Sequence, residues 1–372
     1  MNESQEFTIG VEEEYQIVDP QTKELCGKAD KIIYDARQTL EKDLVQPELY
    51  RSQIEIATVV CHSLSEVRQE LIRCRGGIIK AAEQQQQEIA AAGTHPFSNW
   101  QEQKLTSKTR YENLEKEFQQ VVRELIIFGN HVHVGLGDRQ IALKVINRSR
   151  IWLSVLLALS ANSPFWMGQN TGYASYRTAM WSRLPLAGQP QTFADYEEYN
   201  ALVESLVRIG IIQDPTNIYW DIRLSAKFPT VEFRATDICL TIDEAVTMAG
   251  LIRALVWTCY EEVMQDMPSN QVRFELLQAA NWNAARYGLT YNLIDVVKQD
   301  AIPAEDLVNQ FLEYLAPALK KFNDWETISN SVQNILERGN GAQRQLAIYE
   351  QTGNYRDVVD YIVTQTKQGI NL

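Results

Sequence analysis

In five stretches before residue 240, polar and apolar side chains alternate at every second position, the mark of a strand with one covered face. GNHVHVG (129–135) sets His131 and His133 against Val132 and Val134. In GVEEEYQI (10–17), Glu12, Glu14 and Gln16 oppose Val11, Tyr15 and Ile17, and in SQIEIATV (52–59), Gln53 and Glu55 oppose Ile54 and Ile56. WDIRL (220–224) opposes Asp221 and Arg223 to Ile222 and Leu224, while TVEFRATD (230–237) opposes Glu232 and Arg234 to Val231 and Phe233. Glu13 breaks the pattern by falling on the apolar face.

Helical periodicity fills most of the remainder. A helix is expected from Leu64 to Ala92, with the QQQQ run (84–87) on its solvated face and a break or kink at Gly76-Gly77. Further helices are expected just before residue 129, over 139–162 and over 193–211. Asp243 is the expected cap of a helix running to about Met264. From Gln271 onward the chain reads almost wholly helical. The stretch 162–190, rich in Pro, Gly and aromatics, reads as a functional loop. Strands and helices do not alternate as βαβ units, so an α+β fold with an antiparallel sheet and packed helices is expected. One catalytic domain over 1–372 is expected, its sheet-forming core at about 7–240 and a mostly helical part at about 241–372.

The five polar faces are not an ordinary solvent face. Lys is absent from all five segments, and beyond small residues the set is limited to Glu, Asp, Gln, His and Arg. If Glu12, Glu14, Glu55 and Glu232 converge, each pair of charges at ~4 Å costs about 4 kcal/mol at an effective dielectric near 20. Protons or divalent cations must then offset the repulsion. Oxygen-rich ligands with one imidazole suit Mg²⁺ or Mn²⁺ better than Zn²⁺. Mg²⁺ keeps positions open for phosphate oxygens, so a nucleoside triphosphate is the natural ligand. No GxxxxGK[ST] motif and no GxGxxG after a strand is present, so ATP would be held by metals and arginines on the sheet.

Composition narrows the partners. The 372 residues carry a net charge of −13, which argues against nucleic acid or an anionic membrane. The opening MNESQEFTIG lacks the basic and apolar regions of a secretory signal, and 151–161 is too short for a membrane span. Five cysteines without CxxC spacing fit free thiols in the cytoplasm.

In order, GVEEEYQIVDP, SQIEIAT, GNHVHVG, the ASYR stretch with Trp181, Arg183 and Pro185, PTVEFRATD and NWNAARYGL resemble the bacterial carboxylate–amine ligases of the glutamate–cysteine ligase type 2 family. The resemblance implies a glutamine-synthetase-like fold: a curved antiparallel sheet with the site on its concave face and helices on its convex side. It implies ATP- and Mg²⁺-dependent amide formation, in which ATP phosphorylates a carboxylate, the γ-carboxylate of glutamate in the name-giving members, and an amine, there cysteine's, attacks the acyl phosphate. By motif position it implies metal ligation by Glu12, Glu14, Glu55, His131 and Glu232, with Glu55 and Glu232 also counted as catalytic. Arg234 would stabilise the transferred phosphoryl group. Arg177 and Arg183, in the loop that carries Trp181, would recognise substrate carboxylates. Arg223, Arg286 and His133 join the expected substrate- and ATP-binding set, and a homodimer is implied.

Two other readings use the same residues. HxH on a strand also opens the sites of metal-dependent hydrolases, but neither His62 nor His95 sits where a further ligand is expected. A non-catalytic nucleotide or amino-acid binding protein would keep the sheet and lose turnover.

Overall fold

The computed structural model describes residues 7–370. Its main sheet has seven strands: β1 (Ile9–Val18), β2 (Val45–Pro47), β3 (Gln53–Ala57), β4 (Glu88–Ala90), β5 (Gly129–Gly135), β8 (Ile222–Leu224) and β9 (Thr230–Asp237). Two small hairpins complete the strands, β6 (Phe165–Trp166) with β7 (Gln169–Asn170), and β10 (Asn292–Asp295) with β11 (Asp300–Pro303). The main sheet runs β2-β3-β1-β5-β9-β8, antiparallel throughout, with β4 also paired to β1.

The alternating segments become strands because one face of each is buried in a single apolar core. Val11, Tyr15, Ile54, Ile56, Val132, Val134, Ile222, Val231 and Phe233 all belong to it. Helices supply the other wall. Ile242–Met264 is capped by Thr241, in a reciprocal box with Glu244, and not by Asp243, which lies in the first turn. Leu64–Gln84 packs beside it, capped by Ser63. These helices cover the face opposite the polar one, as the α+β expectation required.

Glu13 is accounted for by that helical layer. It points into the core, where Arg75 of Leu64–Gln84 donates to it at 2.6 Å and also to the Tyr15 hydroxyl at 2.6 Å. Three backbone carbonyls, of Leu240, Thr366 and Cys239, take the remaining guanidinium protons.

Four further local expectations are corrected. The first long helix runs unbroken through Gly76-Gly77, and Leu40 packs where a Gly77 side chain would stand, 2.6 Å from an added Cβ. That helix stops at Gln84, and Gln86 turns with φ +55° so that Gln87 folds inward under Cys26. The QQQQ run is therefore a helix end and turn. The 193–211 helix is shorter, Tyr196–Arg208. The C-terminal part is not wholly helical, since β10 and β11 interrupt it, closed by Asp295 accepting the N–H groups of Val297 and Lys298.

Candidate active site

The antiparallel register brings the polar faces together. Glu14 stands opposite Glu55, Glu12 opposite His131, and His133 opposite Glu232, which in turn faces Arg223. These eight side chains, counting Arg234, line one open cavity of about 840 Å³, inside the range of about 300–1,000 Å³ usual for small-molecule sites.

Two clusters of ligand atoms share Glu12. Glu12, Glu55 and His131 form one and Glu12, His133 and Glu232 the other, the ligand atoms of each lying within 4.8 Å of one another. His131 Nδ1 is 3.2 Å from Glu12 Oε2, and His133 Nε2 is 3.4 Å from Glu12 Oε1. Thr230 Oγ1, 3.0 Å from His133 Nδ1, fixes that ring from behind. Glu14 accepts the Gly129 N–H at 2.6 Å and lies 4.0 Å from His131 Nε2.

The charges are unevenly compensated. Burial works against ionisation of Glu12, but hydrogen bonds from His131 and His133 hold it well below the usual carboxylate range. Burial likewise opposes ionisation of Glu232, and Arg234 and Arg223 more than reverse it. Arg223 grips Glu232 with two parallel bonds of 2.9 and 3.0 Å, and Arg234 adds a third at 2.5 Å. Glu55 has no such help. Burial and then repulsion from Glu12, Glu48 and Glu14 push it well above the ordinary value. Glu14 rises to about 7, through burial and the nearby Glu48. His131, buried and facing Arg234, falls to about 4 and is neutral at pH 7, the form that ligates metals.

A carboxylate cluster pushed toward protonation on one side and a neutral imidazole beside it fit a hard divalent cation. Glu12, Glu55 and His131, or Glu12, His133 and Glu232, would hold one, with Glu14 adjoining.

Glu48 was not anticipated from the sequence. It lies on the same cavity wall, and burial raises its carboxyl too. Its signal was the parity of VQPEL: Gln46 pairs with Glu55 across β2 and β3, and Glu48 is two residues on. A three-residue strand ending in Pro47 is too short to show alternation. His62 also lines the cavity, whereas His95 is buried elsewhere.

The loop residues divide. Arg177, only 3% exposed, sits directly behind Arg234 and donates to its carbonyl at 3.3 Å. Gly129 makes room for it, since an added Cβ there would lie 2.4 Å from Arg177 Nη2. Asp237 anchors the loop by accepting from Ser163 and Ser175 at 2.7 and 2.8 Å. Trp181 lies under the Arg234 guanidinium, 5.6 Å from ring centre to Cζ, with its indole N–H on the Tyr219 carbonyl. Arg183 instead pairs with Glu124 at 2.5 Å, and Arg286 lies between the Tyr173 and Tyr287 rings. Neither of these two arginines lines the cavity, and Trp166, Tyr173 and Tyr176 pack against the main core, Tyr176 also meeting the other two rings.

Residues 8–361 match the profile of glutamate–cysteine ligase family 2. The chain belongs to this family. A Rhodopirellula baltica relative, provisionally named glutamate–cysteine ligase 2, is 39% identical over 363 residues, 96% of each chain. A Herpetosiphon aurantiacus relative with the same provisional name is 37% identical over 98% of this chain and 94% of its own. Among solved structures, the fold matches a Francisella tularensis glutamate–cysteine ligase in complex with AMP, with TM-score 0.73, 14% identity, and coverage of 98% and 89%. A Pasteurella multocida bifunctional glutathione synthetase matches at TM-score 0.72 and 14% identity, covering 98% of this chain and 53% of that one. The family is one of carboxylate–amine ligases. Among the described residues, no helix is long and apolar enough to cross a membrane.

Proposed function

We propose that the protein is an ATP- and Mg²⁺-dependent ligase joining the γ-carboxylate of glutamate to an amine, with cysteine the first candidate, through an acyl phosphate. The observation that carries this reading is the pair of ligand clusters sharing Glu12, flanked by Arg223 and Arg234 in one cavity. The AMP in the Francisella ligase of the same fold supports a nucleotide there.

Bound Mg²⁺ would neutralise the carboxylates and draw charge from the phosphate oxygens. The chain's own part is positioning and positive charge, which is most of what phosphoryl transfer needs. The Arg234 guanidinium is held by Glu232 and by the Trp181 ring, and Arg177 bonds its backbone carbonyl, so it is positioned before substrate arrives. The substrate carboxylate attacks the γ-phosphorus and ADP leaves. The amine nitrogen then attacks the acyl carbon, inorganic phosphate leaves, and the amine gives up a proton.

The test is to incubate the protein with MgATP, glutamate and a panel of amines while following ADP and product mass together. The reading requires ADP formation that depends on both co-substrates and an amide product of matching mass. ATP consumption indifferent to any amine, or none under every mixture, would overturn it.

A further inference from the structure

Arg223 on β8 stands opposite Glu232 on β9 and grips it. Continued past the end of β8, the same register brings Asp221 opposite Arg234, and the Arg234 N–H donates to the Asp221 carbonyl at 2.7 Å. An acid thus faces a base a second time across these two strands, at a spacing of about 5 Å between Cβ atoms. Arg234 does not use that facing acid. Its Nη1 turns along its own strand to Glu232, at 2.5 Å, while its Nε–H is buried and has no partner among the described residues. Arg177, the other guanidinium near Asp221, is turned to Asp237 at 3.9 Å and to the Arg234 carbonyl.

The Asp221 carboxylate is left with Asn281 Nδ2, of the helix Phe274–Tyr287, at a long 3.4 Å. It is only 3% exposed, and it does not line the cavity. Burial lifts its carboxyl to about 6 although Arg177 and Arg234 draw it down. The unfolded chain ionises near pH 3.9. Above pH 6 both states therefore carry the charge, and only the folded one holds it away from water, so Asp221 weakens the fold at neutral pH. A buried charge that costs stability and joins no ion pair is kept for something other than stability.

We propose that Asp221 is the positioning residue for Arg234, the counter-ion that keeps its guanidinium in place once a cation occupies Glu232, a role that rests on the metal ligation proposed for Glu232. The two oxygens of Glu232 are already in use, Oε1 by Arg223 and Arg234 and Oε2 by Arg223. A cation arriving there competes with Arg234 for Oε1. The arginine then gives up its one carboxylate bond, and the nearest cross-strand acid is Asp221. Without that charge, Glu12 and Glu14, which also act on Arg234, pull the guanidinium toward the acidic side of the site. Asn281 holds the Asp221 carboxylate in turn and links it to the helical layer.

Asp221→Asn keeps the shape and removes the charge. Three measurements on it are read together: the melting temperature without ligand at pH 7, calorimetric binding of MgATP, and ADP formation with glutamate and an amine. Melting should occur at or above the wild-type temperature, because a destabilising charge is gone. MgATP affinity should stay within about twofold, while kcat falls by about tenfold or more, the pattern of a group that matters in the transition state. Applied to Arg234→Lys, whose planar fork is already lost, the same change should lower the residual rate by less than about twofold. A lower melting temperature, or failure to fold, would make Asp221 a structural residue and overturn the role. So would a wild-type kcat, an affinity loss as large as the loss in kcat, or effects of the two substitutions that multiply in full. If wild type forms no ADP under any mixture, the ligase reading falls first and takes this role with it.

Discussion

Arg75 Nη2 lies 2.6 Å from Glu13 Oε1, and both side chains are fully buried on the back of the strand that carries Glu12 and Glu14 on its front. The pair ties the middle of β1 to the helix Leu64–Gln84, so a movement of that helix is a movement of the site. A buried pair is worth little against an apolar replacement but a great deal against loss of one partner. Arg75→Met should therefore cost about 3–5 kcal/mol in urea unfolding. The double variant Glu13→Met/Arg75→Met should recover much of that loss. Equal stability of single and double variants would show that the uncompensated Glu13 charge is not what the single change costs.

Glu232 is the hub of the basic side of the site. Glu232→Gln should cut ADP formation by about 100-fold or more while the far-ultraviolet circular dichroism spectrum stays that of the wild type. Arg234→Lys keeps the charge but loses the planar fork and the Trp181 contact, so its turnover should also collapse. Normal kinetics in either variant would remove that residue from the phosphoryl site.

Glu48 was found by the tertiary structure, and burial raises its carboxyl despite the Leu49 N–H and the nearby Arg110, Lys108 and Arg234. Glu48→Gln is expected to raise the Mg²⁺ concentration for half-maximal rate by about tenfold. An unchanged Mg²⁺ titration, with activity intact, would leave Glu48 as lining only.

His95 offers a pH test away from the site. Its Nδ1 accepts the N–H groups of Phe97 and Ser98 at 3.2 and 3.0 Å, its Nε2 faces the Lys23 carbonyl at 3.0 Å, and burial pushes the imidazole down to about 3. The unfolded chain takes up a proton near pH 6.5 that the folded chain refuses until about pH 3. The stability that His95 contributes is thus complete above pH 6.5 and declines as pH falls, by up to about 1.4 kcal/mol per unit. Urea unfolding of wild type and His95→Asn at pH 7, 6 and 5 should show the gap between them narrowing. A constant gap would mean that the imidazole can charge in place.

Strand parity is local, and it was legible. Knowing only that side chains alternate, one can place Glu12, Glu14, Glu55, His131, His133, Arg223, Glu232 and Arg234 on polar faces, because each choice depends on its immediate neighbours in sequence. The tertiary structure decided which faces meet, in what register and with what compensation. Glu13 looked misplaced because its partner, Arg75, is 62 residues away on a helix whose orientation no strand pattern encodes. Arg177, Arg183 and Arg286 looked alike in sequence, yet one stands behind Arg234, one pairs with Glu124 and one packs between two tyrosines. Glu48 gave only a faint signal because the strand just before it, Val45–Pro47, is too short to alternate. Periodicity is set by backbone geometry over a few residues, whereas the meeting of side chains is set by how the whole chain packs, and only the folded molecule contains that information.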